Sequence, residues 1–296
     1  MDSVMEARAG QVVGTVAGLR RFPVKSMLGE APASLALTAS GVDGDRAWAV
    51  LDEATGKVAS AKHAKLWRGL LACSGRTLGG TGGGDVEVSL PDAAAHRAGD
   101  PALDGLLSAL TGRPVRLAEV PPEGAALDRA HPEAVLAEGL DADVASDILV
   151  LGAAAPPGTF LDYAPVHLIA TATLDGLAAA PADGDPVEDA RYRANIIVRS
   201  PPGTPAFPEN GWVGGTLRIG PEVELRVILQ TPRCAVPALA HGALPPRPGA
   251  LRAAVERNRV DIPGFGHQPC AGCYAEVLRD GTIQEGDLVT FTPGQA

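Results

Sequence analysis

The stretch Val223-Glu224-Leu225-Arg226-Val227-Ile228-Leu229-Gln230-Thr231-Pro232-Arg233-Cys234 decides how the chain is read. Its first seven residues alternate apolar and polar side chains, the period-2 pattern of a strand with one face in a core. The strand then meets a proline, an arginine and a lone cysteine, with Pro237 close behind. A cysteine at a strand end is held by rigid backbone, and a neighbouring cation supplies a field that favours thiolate. Cys234 is therefore a candidate nucleophile, redox thiol or soft-metal ligand; the alternative is a small buried hydrophobe.

Working outward, short β-prone runs recur at Val12–Phe22, Ala33–Leu37, Ala47–Leu51, Val86–Leu90, Val115–Val120, Val166–Ala170, Thr216–Ile219, Cys273–Leu278 and Thr282–Val289. Turn signals separate them, as at Gly41–Arg46 and in the hairpin loop Asp52–Lys57. Many short strands of this kind predict a β-rich α+β fold built on a barrel or sandwich, not a βαβ repeat. Helices are few. Asp100–Leu110 has helical apolar spacing, with Asp100 placed to cap and Pro101 at the first helical position. Thr171 caps a second helix from Ala172 to about Ala179, and Pro248–Val255 gives a third. Ala190–Val198 reads as a strand with polar residues at its entry, and Leu66–Ser74 places Cys73 in the core. The glycine-rich stretch 79–84 lacks the Gly-Lys-Ser/Thr ending of a phosphate loop and reads as a hairpin tip. Residues 121–160, rich in Pro, Ala, Gly and Asp, form a loop-laden connection between two lobes, residues 1–125 and 126–296.

At 296 residues the chain is long enough to bury a full core. Its net charge of −10 leaves no basic stripe to track phosphates, so nucleic acid is excluded as a general partner. No apolar run reaches the roughly 18 residues of a membrane span, and Asp2 and Glu6 argue against a secretory signal. A soluble cytoplasmic protein with no membrane partner is the expectation. Four cysteines are too few and too scattered for a disulfide framework.

Cations beside small polar residues recur at strand ends: Lys25-Ser26, Asp45-Arg46, Ala61-Lys62, Arg193-Ala194-Asn195 and Thr231-Pro232-Arg233. In an acidic protein this recurrence suggests a pocket for an anion, since Lys and Arg give charge-assisted hydrogen bonds and Ser, Thr and Asn add neutral donors.

Pro23-Val24-Lys25-Ser26, Gly44-Asp45-Arg46, Arg193-Ala194-Asn195-Ile196, Thr231-Pro232-Arg233-Cys234 and Gly281-Thr282-Ile283-x-x-Gly286-Asp287 resemble, in order, the signatures of the MOSC family. That family includes the C-terminal domain of molybdenum cofactor sulfurases, YcbX-like and YiiM-like bacterial proteins, and the mitochondrial amidoxime reducing component. The resemblance spans nearly the whole chain. It implies an N-terminal MOSC-associated β-barrel domain followed by a MOSC β-barrel domain, with a molybdenum cofactor (molybdopterin) between the lobes. By motif position Lys25, Ser26, Arg46, Arg193 and Asn195 would hold its phosphate and pterin, joined by Lys62, Thr171 and Arg233. Cys234 matches the cysteine that ligates molybdenum in the reductase members, or that carries sulfur in the sulfurase-like reading. Pyridoxal phosphate is not indicated.

The resemblance implies three functions: an oxidoreductase that reduces N-hydroxylated or N-oxide compounds, a sulfur-transferring enzyme that uses a Cys234 persulfide or thiolate, or a non-catalytic cofactor carrier. The implied partners are a small-molecule substrate and either a separate electron-transfer protein or a cysteine desulfurase. One segment departs from the family pattern. Phe265-Gly266-His267-Gln268-Pro269-Cys270-Ala271-Gly272-Cys273 places a CxxC pair near the end of the chain. Cys270 and Cys273 are candidates for a redox disulfide, a persulfide relay or, with Cys234, a zinc site; the alternative is a pair of small residues in a tight loop.

Overall fold

The computed structural model describes residues 10–79, 84–152, 154–178 and 187–294; most of the glycine-rich stretch and the expected last residue of the 172–179 helix lie outside them. The protein is β-rich, with five short helices among the described residues. Its centre is a closed barrel of seven strands. In spatial order these are Val166–Ala170, Ile196–Arg199, Gln11–Leu19, Leu288–Thr292, Thr216–Ile219, Val223–Pro232 and Gly266–Arg279. The ring closes where Val166–Ala170 pairs antiparallel with Gly266–Arg279, His167 lying opposite Tyr274. The first strand lies between Ile196–Arg199 and Leu288–Thr292, so the start of the chain completes a barrel otherwise made from residues 166–292.

The Val223–Pro232 alternation holds. Val223, Leu225 and Val227 point into the barrel with Val16, Leu168, Ile196, Leu217 and Val289. Fully burying one such side chain stabilises the fold by roughly 2 kcal/mol. A second core lies under the N-terminal lobe, where Leu103 and Leu107 of the Pro101–Thr111 helix meet Val24, Val50, Trp67 and Val115. That helix begins as its sequence requires: the Asp100 carboxylate accepts from Ala102 N at 2.9 Å, and Gly112 ends it in the left-handed region at φ 66°. The two lobes are also tied by a small sheet in which Ser34–Thr38 pairs with Gly281–Gln284.

Several readings change. Residues 121–160 are not all loop: Ala126–Ala130 and Ser146–Val150 pair in register around the helix Pro132–Glu138. Leu66–Ser74, to which no element was assigned from sequence, is mostly helical, through Ala64–Trp67 and the 3-10 turn Arg68–Ala72, and Cys73 is core as expected. Ala190–Val198 divides into a 3-10 turn, Asp189–Tyr192, and the strand Ile196–Arg199, with Arg193 left-handed between them. Cys270 and Cys273 lie inside the long strand Gly266–Arg279, not in a loop. No helix among the described residues is long and apolar enough to cross a membrane.

Candidate cofactor site

A pocket opens outside the barrel's closing seam, where the N-terminal lobe lies against the ends of the barrel strands. Lys25, Ser26, Arg46, Lys62, Arg193, Asn195, Arg233 and Cys234 all line it. Residues from five separate parts of the chain thus converge.

Backbone strain is concentrated at this pocket. Among the described residues five non-glycines are left-handed, and three of them, Ser26, Arg46 and Arg193, line it. That conformation costs of order 1 kcal/mol for a residue with a Cβ. Surrounding bonds over-determine each one. Ser26 Oγ accepts from Ala61 N at 3.0 Å, and Arg193 Nη1 donates to Met27 O at 2.7 Å. Arg46 Nη2 donates to Arg193 O at 3.2 Å, and Nη1 pairs with Asp45, whose other oxygen accepts from Phe22 N at 2.7 Å. The Phe22 ring carries both guanidiniums, Arg46 at 4.6 Å and Arg193 at 4.2 Å from its centroid. Asn195 ties the entry of Ile196–Arg199 to the strand Val166–Ala170: its Oδ1 accepts from His167 N at 3.2 Å, and its own backbone N–H donates to His167 O at 2.8 Å.

Charge defines the site. Five cationic side chains line the pocket, with a single carboxylate, Asp162, among them. Lys25 Nζ donates to Phe160 O at 2.7 Å and pairs with Asp162; Lys62 Nζ reaches the other Asp162 oxygen at 3.0 Å. Burial works against the Asp162 carboxylate, but Lys25 and then Lys62 outweigh it and hold its pKa far below the usual carboxylate range. Burial, together with Lys62 and Arg46, pushes Lys25 down to about 8 despite Asp162. Lys62 goes the other way: burial opposes its charge, but Asp162 and then Cys234 and Tyr274 hold it above its ordinary value. Burial and then Arg46 push Arg193 down to about 9. An arginine does not surrender its proton near neutrality, so this crowding amounts to a demand for an anion.

Sequence reasoning missed several members. Asp162, Tyr163, His167, Tyr192 and Tyr274 also line the pocket. His167 is buried, and burial followed by Arg233 and Arg46 drives it well below the usual histidine range, so it contributes a neutral ring. Cys234 lies two residues past the end of the Val223–Pro232 strand, just before the 3-10 turn Val236–Ala238, and is 8% exposed. Its neighbour Arg233 is fixed by Nη2 donating to Tyr192 O at 3.0 Å.

Three candidates lie elsewhere. Thr171 Oγ1 accepts from Ser200 N at 2.9 Å, tying the Thr171–Ala178 helix to the next strand's end, and it does not line the pocket. Cys273 belongs to the barrel interior and Cys270 to a separate cluster with Leu229 and Ile262. Burial pushes Cys270 up to about 12, and burial with Glu209 raises Cys273 well above the usual thiol range. All four cysteines are free thiols, and no group of three or more His, Cys, Asp or Glu side chains among the described residues is placed to hold a metal ion.

The residues fit a large anionic, hydrogen-bonding group. Besides the excess of cations, Arg233 Nε and His167 Nε2, both of pocket-lining residues, are buried without a hydrogen-bond partner, which is costly unless something else satisfies them. The MOSC domain profile matches residues 156–290, and that of the MOSC N-terminal beta barrel domain matches residues 13–70. Among solved structures, the YUAD protein of Bacillus subtilis is similar at 11% identity, with 96% of this chain and 97% of that chain covered and a TM-score of 0.44. YiiM of Geobacillus stearothermophilus is similar at 16% identity over 44% of this chain and 54% of that one, with a TM-score of 0.30. No curated protein matches the sequence.

Proposed function

The chain belongs to the MOSC-domain family, which is associated with the molybdenum cofactor, and from that premise we propose an oxidoreductase that reduces N-hydroxylated or N-oxide compounds. The observation that carries this reading is the meeting of five cations, one carboxylate and the Cys234 thiol in one pocket. Lys25, Ser26, Arg46, Arg193 and Asn195 would hold the phosphate and pterin of the cofactor. Cys234, a soft ligand on a rigid strand end, would bind its metal. When bound, the cofactor supplies two-electron oxygen-atom chemistry at molybdenum.

The chain's own residues supply the surroundings. Removing oxygen from an N–OH group takes up two electrons and two protons and releases water. The electrons come from a separate carrier protein. Lys62, held as an ammonium by Asp162, offers a donor at Nζ beside the substrate side of the pocket. Neutral His167 and the buried ring of Tyr192 form part of the wall around the cations.

Elemental and pterin analysis of protein purified from a host that makes the cofactor tests the reading. Molybdenum and pterin at near one per chain support it, with a Cys234→Ser variant that keeps the pterin and loses amidoxime reduction. Protein free of both would overturn it.

A further inference from the structure

Beside the cation pocket lies a second depression that shares Lys62, Asp162, Tyr163, Pro232 and Tyr274 with it and adds Arg129, Leu149, Leu229 and Phe265. The two adjoin through these five shared residues, and the second, the more open of the two, forms the mouth. Its composition differs sharply from the inner part. The whole sequence holds only three tyrosines and five phenylalanines, yet Tyr163, Tyr274 and Phe265 meet here. Phe265 stands edge-on to Tyr163, centroids 5.5 Å apart at 78°, and the Tyr274 ring is tilted 34° to Tyr163 at 5.8 Å. Rings at these spacings leave faces and edges for a further flat ring.

Arg129 stands at the edge of this platform. It lies on the strand Ala126–Ala130 and lines both the mouth and a neighbouring depression walled by Glu133, Asp147 and His267. Its cross-strand neighbour Asp147 is within ion-pair distance of His131 instead, at 3.2 Å. Arg129 itself forms no ion pair among the described residues; its Nη2 has only a long 3.4 Å contact with Arg233 O. Asp162, the one carboxylate lining the mouth, is engaged by Lys25 and Lys62. A half-buried guanidinium with most of its donors unused, beside an aromatic platform, matches a carboxylate on a flat ring.

We propose that the mouth is a substrate subsite for anionic aromatic compounds. The ring packs among Tyr163, Phe265 and Tyr274, its carboxylate bonds to Arg129, and its N-oxygenated group points inward towards Cys234. The inference rests on the reductase reading for which end enters first, but the subsite is defined by binding alone. A neutral aromatic compound gains the stacking and loses the charge-assisted bond, so the site discriminates by charge as well as shape.

The test uses two probes that differ only in charge, 4-carboxybenzamidoxime and benzamidoxime, titrated calorimetrically into purified protein without an electron donor. The expected result is roughly tenfold tighter binding of the carboxylate probe, the size of one charged hydrogen-bonded contact. Arg129→Gln is expected to abolish that advantage, and Arg129→Lys to retain part of it. Phe265→Ala is expected to weaken both probes several-fold, with circular dichroism confirming the fold of each variant. Equal affinity for the two probes, or an advantage that survives in Arg129→Gln, would overturn the subsite. Because no turnover is involved, protein found without molybdenum would defeat the reductase reading and leave the affinity ratio to stand or fall separately.

Discussion

Lys25 Nζ lies 2.5 Å from Asp162 Oδ1, and this pair joins the two lobes across the pocket floor. Lys25 is 4% exposed, so Asp162 is the counter-ion that makes its burial tolerable. Asp162→Asn should therefore cost about 3 kcal/mol at pH 7 in urea denaturation, the order found when one partner of a buried pair is removed. Inorganic phosphate should restore more stability to the variant than to the wild type, because an anion replaces the missing charge. Unchanged stability would show that Lys25 does not depend on Asp162.

Phe22 carries two arginines on one ring. Phe22→Leu keeps an apolar side chain but removes the π face, which contributes about 1 kcal/mol per guanidinium when partly desolvated. Phosphate binding by the ligand-free protein should weaken by about fivefold or more, as measured by calorimetry, with overall secondary structure kept. Affinity equal to wild type would mean that the hydrogen bonds alone position Arg46 and Arg193.

Glu209 supplies a pH dependence remote from the pocket. It is 1% exposed and accepts hydrogen bonds from Ala170 N at 2.6 Å and from the Thr173 hydroxyl. Burial raises its pKa from 4.5 to about 6, with those two bonds opposing the shift. The folded state therefore keeps the proton longer than the unfolded chain. Its share of stability is full below about pH 4.5 and falls as pH rises through about 6, by roughly 2 kcal/mol. Glu209→Gln should lack this decline, so the gap between variant and wild type in urea denaturation should widen from pH 4.5 to 6.5. A constant gap across that range would rule the assignment out.

The thiols should sort by reactivity. Burial raises Cys73 to about 11 and Cys270 to about 12, and lifts Cys273 as well. Cys234 is the only one of the four that lines the pocket. Limited alkylation of the native protein with iodoacetamide at pH 8, read by peptide mass spectrometry, should label Cys234 first by about tenfold or more, since only thiolates react. Early labelling of Cys270 or Cys273 would revive a redox role for the CxxC pair.

What the sequence disclosed depended on how local the determinant was. The Pro101–Thr111 helix has its cap at Asp100 and its stop at Gly112, both within its own few residues, and it forms where expected. The Val223–Pro232 strand likewise carries its period in full. Residues 126–150 were opaque because their strand pair is short and the strand Ser146–Val150 exposes its apolar Ile148 and Val150, so no alternation marks a buried face on it. The cationic side of the pocket was legible because Lys and Arg beside Ser and Asn stand out in an acidic chain. Asp162 was not, since a carboxylate in a loop acquires its meaning only from Lys25, more than a hundred residues away. The CxxC spacing suggested paired chemistry, yet the strand that carries it sends the two sulfurs into different clusters.

The position of the Gln11–Leu19 strand governs the order in which the molecule can be made. It must find Ile196–Arg199 on one side and Leu288–Thr292 on the other, so one edge waits for residue 199 and the other for residue 292 to leave the ribosome. Contacts of such sequence separation form late and slowly. Lys25 and Arg46 are synthesised early, yet they face their pocket partners only after the barrel has closed. Any large ligand of this pocket is therefore loaded into a finished protein, and until then the unpaired strand edges are the chain's period of greatest exposure to aggregation.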